Sequence, residues 1–204
     1  ITMMDGQISG AFVDSTSVAG LMSEIAKQYP HDLVMDPASG LGRILYLLHP
    51  KRFIAKDVNS EVVLMSQLLF KMSERKGVFE NEDSLKERSQ SVAADLVILQ
   101  PPYGLRIDGK LYQNQPYLLT DTVIPTSGGD SLWIQKALYQ ASEKGRVIVQ
   151  VPPGWFHRSG YDYAVRKALI ERNWIDAIIY LPGNLLEHTG IETNILILNK
   201  AKKT

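Results

Sequence analysis

The chain has no cysteine, which excludes disulfides, thiolate zinc sites and a cysteine nucleophile together. Its four histidines, His31, His49, His157 and His188, are scattered without the spacing of metal ligands, so no metal site is expected. No apolar run approaches the length of a membrane span, and no basic segment followed by an apolar stretch opens the chain. A cytoplasmic location away from membranes is the expectation. Net charge is lacking too. With 22 basic and 22 acidic residues there is no surplus for gripping a polyanion, so any nucleic-acid substrate must be held largely from elsewhere. Internal repeats and low-complexity segments are also absent. The chain starts at Ile1 and closes on Lys202-Lys203-Thr204, which suggests a piece of a larger polypeptide.

What is present is enough for one sizeable core: 204 residues, 45% of them hydrophobic. A single compact domain is expected, with residues 1–30 as a helical lead-in and 31–204 as the main body. Asp14, Ser15 and Thr16 offer N-caps before the apolar face of Val18, Leu21, Met22, Ile25 and Ala26, and Tyr29-Pro30 ends that helix. Leu33-Val34-Met35 reads as a buried strand, residues 43–48 as a helix, Phe53-Ile54-Ala55 as a strand. Asn59 caps a long helix that stops near Gly77. Val78-Phe79 is a brief strand, a short helix follows from about Ser84, and Leu96-Val97-Ile98-Leu99 is strongly apolar.

Residues 104–129 mix Gly, Pro, Asn, Asp and Tyr without periodicity and read as a long functional or mobile loop. Helix is expected again at 131–142 and 163–172, and strand at 147–151, 175–181 and 195–198. Strands alternating with helices imply an α/β fold whose open, mostly parallel sheet is covered on both faces. No crossover helix fits between Leu181 and Thr193, so the last of seven expected strands should run antiparallel.

Ligands of such sheets sit at the carboxyl ends of the strands, where strand order reverses. Asp36-Pro37-Ala38-Ser39-Gly40-Leu41-Gly42 lies at the end of the first strand, and Gly40 and Gly42 allow a tight turn with close backbone approach. The third glycine of the dinucleotide pattern is missing, Leu45 standing there, and an ordinary strand-to-helix turn explains either glycine alone. Asp57, ending the second strand, can accept both hydroxyls of a ribose, or can serve as a charge at a helix start. Asp83 and Ser84 follow the third strand, placed for an adenine amino group or for a local cap.

The second segment is Gln100-Pro101-Pro102-Tyr103. Paired prolines stop the ladder and stiffen the backbone. The Gln100 amide and the Pro101 carbonyl offer acceptors to an exocyclic amine, and Tyr103 offers a ring for stacking. A conjugated amine is a poor nucleophile, and fixed carbonyl dipoles on its two N–H groups favour its attack. Trp155 and Phe156 suit the core better than a cleft, and Arg106, Lys110 and Arg158 suit solvent better than phosphates.

These segments resemble those of the adenine-N6 DNA methyltransferases, above all the catalytic domain of type I restriction-modification methylation subunits. That family carries an Asp-Pro-Ala-Cys-Gly-Ser-Gly loop and an Asn-Pro-Pro-Tyr or Asn-Pro-Pro-Phe segment. The likeness extends to Gly10-Ala11-Phe12, to residues 149–156 with Val151-Pro152-Pro153-Gly154, to residues 166–170, and to Thr189-Gly190-Ile191-Glu192-Thr193-Asn194 and the strand after it. It implies a Rossmann-like methyltransferase fold and S-adenosylmethionine as methyl donor. Phe12, Asp36, Pro37, Ala38, Ser39, Gly40, Gly42, Asp57, Asp83 and Ser84 would meet the donor, and Gln100, Pro101, Pro102 and Tyr103 the acceptor. The implied reaction is transfer to the N6 of an adenine flipped out of duplex DNA, with a specificity subunit or flanking domain reading the sequence.

The chain departs from the family at three places. Ser39 and Leu41 replace cysteine and serine, Phe12-Val13-Asp14 replaces Phe-Thr-Pro, and Gln100 replaces asparagine. One extra methylene moves the amide by about 1 Å, a displacement that can cost roughly 10²-fold in rate. A catalytically weak or silent DNA-positioning module, and methylation of RNA or of a protein glutamine, therefore stand as alternatives. A dinucleotide oxidoreductase would leave the 100–103 segment without a task.

Overall fold

A computed structural model describes residues 16–86, 91–183 and 192–202. The elements in chain order are α1 (Thr16–Ala26), β1 (Leu33–Asp36), α2 (Arg43–Leu48), β2 (Arg52–Asp57), α3 (Ser60–Met72), β3 (Val78–Asn81), β4 (Ala94–Leu99), α4 (Gly129–Gln140), β5 (Ala141–Val151), α5 (Tyr161–Glu171), β6 (Ile175–Leu181) and β7 (Thr193–Asn199). Short 3₁₀ turns lie at Gly109–Leu111 and Pro153–Phe156.

The strands form one seven-stranded sheet in the order β3-β2-β1-β4-β5-β7-β6. β3, β2, β1, β4 and β5 run parallel. β7 enters between β5 and β6 and is antiparallel to both, as the missing crossover required. From β1 the chain winds outward through β2 to β3, then returns to β4 and winds the other way. The reversal falls between β1 and β4, the position at which such sheets bind ligands.

Side chains alternate across the sheet because the strand period is two. Val34, Phe53, Ala55, Leu96, Ile98, Ile148, Ile195 and Ile197 face a layer built by α1, α2 and α3 through Val18, Met22, Ile44, Leu45 and Phe70. Met35, Val97, Leu99, Val147, Val149, Leu196 and Leu198 face α4 and α5 through Leu132, Ile134, Val165 and Leu169. Asn59 caps α3, its side chain accepting from the amides of Glu61 and Val62 at 3.0 and 3.4 Å.

Several expectations need correction. β5 begins at Ala141, six residues before the apolar run, because Ala141 pairs with Ala94 and a register shift carries the polar stretch into the ladder. α4 begins at Gly129 and α5 at Tyr161, each two residues early. Residues 84–86 form a turn, the Lys86 amide donating to the Asp83 carbonyl at 2.9 Å, where a helix was expected.

The loop before α4, expected to be functional or mobile, is anchored in the core. Ile107, Tyr112, Tyr117 and Ile124 are buried in the core. The Ile107 amide donates to the Thr126 carbonyl at 3.0 Å, and the Leu119 amide to Gln135 Oε1 at 2.7 Å. Apolar side chains set at irregular spacing anchor it, which a search for helix or strand period passes over. The helical lead-in is described only from Thr16, so the expected caps Asp14 and Ser15, and Phe12, lie outside the described residues.

Candidate active site

Continuing the registers of β1 and β4, in which Met35 pairs with Val97, brings residues 36–42 and Gln100 to the same carboxyl edge on neighbouring strands. Such strands lie about 4.8 Å apart. The two segments singled out in the sequence therefore border one cleft edge.

The loop after β1 is held by its own residues and by β2. The Ala38 amide donates to Asp36 Oδ1 at 3.0 Å, the Ser39 amide to the Lys56 carbonyl at 2.8 Å, and the Gly42 amide to the Ser39 carbonyl at 2.8 Å. The Gly40 amide donates to Asp57 Oδ2 at 3.0 Å. Four amides of the loop are thus engaged within the protein, and the loop contributes shape rather than an array of donors. Gly40 and Gly42 adopt positive φ of 52° and 77°, the conformation in which glycine is strongly favoured.

Asp57 serves in a scaffold near the start of α3. Its second oxygen accepts from the Asn59 amide at 2.8 Å, so one carboxylate ties β2, the loop and the approach to α3. Each oxygen keeps lone pairs beyond its single N–H donor, which fits a ribose diol as a further partner. Asp83 Oδ1 accepts from the Leu85 amide at 3.2 Å, and Oδ2 lies 3.5 Å from Lys86 Nζ, so its described contacts are those of a local cap. Ser84, buried, donates its hydroxyl to the Pro37 carbonyl at 2.7 Å and fastens the turn after β3 to the loop after β1.

On the other side, Gln100 is 8% exposed. Its Nε2 donates to Gln150 Oε1 at 2.6 Å, and Gln150 Nε2 donates to Thr193 Oγ1 at 2.9 Å. The Tyr103 hydroxyl also bonds Thr193 Oγ1. Burial pushes the Tyr103 hydroxyl above its ordinary range, against the opposing bonds from Thr193 and Gln150, so the phenol stays protonated at neutral pH. Gln100 Oε1 is buried and has no hydrogen-bond partner among the described residues.

Gln150 and Thr193 are the residues that the sequence reading missed as site residues. The available signal was a glutamine inside the apolar run from Val147 to Val151. Thr193, which opens β7, fell within the quoted closing region but carried no assigned role.

Around this edge the remaining expectations separate. Trp155 is fully buried, its Nε1 donating to Ser131 Oγ at 2.9 Å, and Phe156 packs on it with ring centroids 5.1 Å apart. Arg158 turns to Asp130 and Asp162, its Nε 2.7 Å from Asp162 Oδ2, instead of standing in solvent. Arg106 and Lys110 are exposed. Among the described residues no group of three or more metal-ligating side chains gathers, and no helix is long and apolar enough to cross a membrane.

A family profile described as N-6 DNA Methylase matches residues 2–204. The type I restriction enzyme MpnII methylase subunit of Mycoplasma pneumoniae is 27% identical over 227 aligned residues, covering 96% of this chain and 41% of that protein. A crystal structure of the type I restriction-modification methyltransferase subunit from Streptococcus thermophilus superposes with a TM-score of 0.85 at 22% identity, over 95% of this chain and 46% of that one. A structure from Listeria monocytogenes, described as a class I S-adenosylmethionine-dependent methyltransferase, gives 0.79 at 19% identity, over 97% and 64%. The chain thus spans less than half the length of the first two.

Proposed function

Because the chain belongs to the N-6 DNA methylase family, we propose that it methylates the N6 of adenine in DNA as the catalytic part of a type I-like methylation subunit. The observation that carries this reading is the buried Gln100 Oε1, unpartnered among the described residues, at the same sheet edge as residues 36–42. A buried carbonyl without a donor is costly, roughly 1–3 kcal/mol, and an amine N–H entering the cleft would satisfy it.

S-adenosylmethionine, when bound, would supply a methyl group activated by its sulfonium. In this reading Asp57 accepts the ribose hydroxyls, residues 36–42 shape the pocket, Asp83 and Ser84 border the adenine, and Phe12 enters from the lead-in. Gln100 Oε1 and the Pro101 carbonyl accept the two N–H groups of the acceptor amine, Pro102 stiffens the turn, and the Tyr103 ring stacks on the flipped base. Such stacking is worth about 1–3 kcal/mol. The amine nitrogen gains the methyl group and must lose one proton. Neither an amide nor the protonated Tyr103 phenol is a base at neutral pH, so that proton leaves to water. A specificity subunit or flanking domain supplies sequence recognition, in keeping with the zero net charge.

Calorimetric titration with S-adenosylmethionine tests the pocket independently of position 100, and saturable one-to-one binding is expected. Radiolabelled methyl transfer offered to duplex DNA, RNA and protein tests the acceptor, with label expected on adenine of the duplex. Label on RNA or protein alone would replace the substrate, and binding without any transfer would leave a DNA-positioning module.

A further inference from the structure

The catalytic-segment residue Gln100 does not act from a free side chain. Leu99 pairs with Val149 in parallel register, so Gln100 stands opposite Gln150 one step further out. Gln150 in turn pairs with Ile195, two residues from Thr193 on the same face of β7. Ile98, Ile148 and Ile197 pair two residues below, on that same face. Gln100, Gln150 and Thr193 therefore form a polar rung laid on top of an apolar one, spanning three strands at the mouth of the cleft.

Hydrogen-bond direction along that rung decides what the cleft meets. Gln150 Nε2 donates to Thr193 Oγ1, which turns the Gln150 carbonyl toward Gln100. Gln150 Oε1 then takes the Gln100 NH2 at 2.6 Å, and the Gln100 carbonyl is left buried without a partner among the described residues. The opposite direction would present an NH2 to an incoming amine, donor against donor. Thr193 Oγ1 also bonds the Tyr103 hydroxyl, so one threonine oxygen ties the amide pair to the stacking ring. A glutamine is longer than an asparagine by one methylene, and the partner at position 150 fixes the end of that longer arm.

We propose that Gln150 is a positioning residue of the acceptor site, holding the Gln100 amide with its carbonyl toward the acceptor amine. The inference rests on the methyl-transfer reading above. It makes Gln100 a built component of the site rather than a defective asparagine.

The test is a double-mutant cycle over Gln100→Asn and Gln150→Leu, read as kcat and KM for transfer to adenine-containing duplex DNA with a specificity subunit supplied. Gln150→Leu is expected to lower kcat by about 10- to 100-fold, the scale of a misplacement near 1 Å, while affinity for S-adenosylmethionine holds. An asparagine at position 100 falls short of Gln150, so Gln100→Asn is slow by itself. The double variant should then be no more than about 3-fold slower than Gln100→Asn, because the two positions act as one unit. An unchanged kcat in Gln150→Leu, or a loss that persists undiminished when Gln100→Asn is already present, overturns the proposal.

A second measurement does not depend on activity. The side-chain NH2 resonance of Gln100, assigned in a ¹⁵N-labelled chain by its absence from Gln100→Asn, should exchange slowly with solvent in the parent chain and rapidly in Gln150→Leu. If the parent chain transfers no methyl group, the methyltransferase reading falls by itself, and the exchange rates still decide the hold on Gln100. Equal exchange in both chains overturns it.

Discussion

Gly42 holds φ at 77° where β1 turns into α2, and a Cβ built there would lie 2.7 Å from the Phe70 ring and 3.0 Å from Ser66 Oγ. The left-handed conformation and the buried ring act together. Gly42→Ala should destabilise the fold by about 1–3 kcal/mol, measured by urea unfolding, with a matching weakening of S-adenosylmethionine binding. Of the residues that matter at this scale, those within continuous segments were readable: residues 36–42 and 100–103 advertise themselves by glycine, proline and aspartate at strand ends. Gln150 and Thr193 were not, because their partners lie 50 and 90 positions away and only the folded sheet joins them. The engagement of four loop amides was equally hidden, since a sequence shows donors but not their acceptors.

Among the elements, the loop leading into α4 shows most clearly how composition and structure diverge. Its Tyr117 hydroxyl donates to the Leu85 carbonyl at 2.7 Å, next to Ser84, which itself fastens to Pro37. One buried hydroxyl bond thus joins this loop to the turn at 84–86, and a second joins that turn to the loop after β1. Tyr117→Phe removes one of them and leaves a carbonyl unsatisfied, at a cost of about 1–3 kcal/mol. Amide hydrogen exchange should therefore quicken in the loop and in the turn at 83–86 together, while β4 and β5 remain protected. Exchange that quickens in the loop alone would separate the two. The periodic helices and the apolar strands were readable because one stripe or one alternation repeats in each. The early start of β5 was not, because its polar residues enter the ladder through pairing with Ala94 rather than through a pattern of their own.

Over the whole molecule, equal numbers of acidic and basic residues constrain how DNA can be held. Each phosphate neutralised steepens the fall of log K with log salt by about 0.9 for duplex DNA, so the chain alone should bind duplex weakly with a slope shallower than about −3. Adding a specificity subunit should steepen that slope, as fluorescence anisotropy across a salt series would report. Alternation of strands and helices made the sheet readable, and the short connection before β7 made its direction readable. The insertion of β7 between β5 and β6 was not, because neighbour order in a sheet is set by packing and leaves no local mark on the sequence.

That insertion also imposes a timetable. β7 follows both of its neighbours along the chain yet occupies the slot between them, so β5 and β6 are joined in the sheet only through it. Thr193 is its first residue, and the Tyr103 hydroxyl has no threonine mooring before β7 is made. During synthesis the pocket around residues 36–42 can take shape while the far wall is still unfinished. The Tyr103 mooring arrives only with β7, after the other six strands of the sheet have been synthesised.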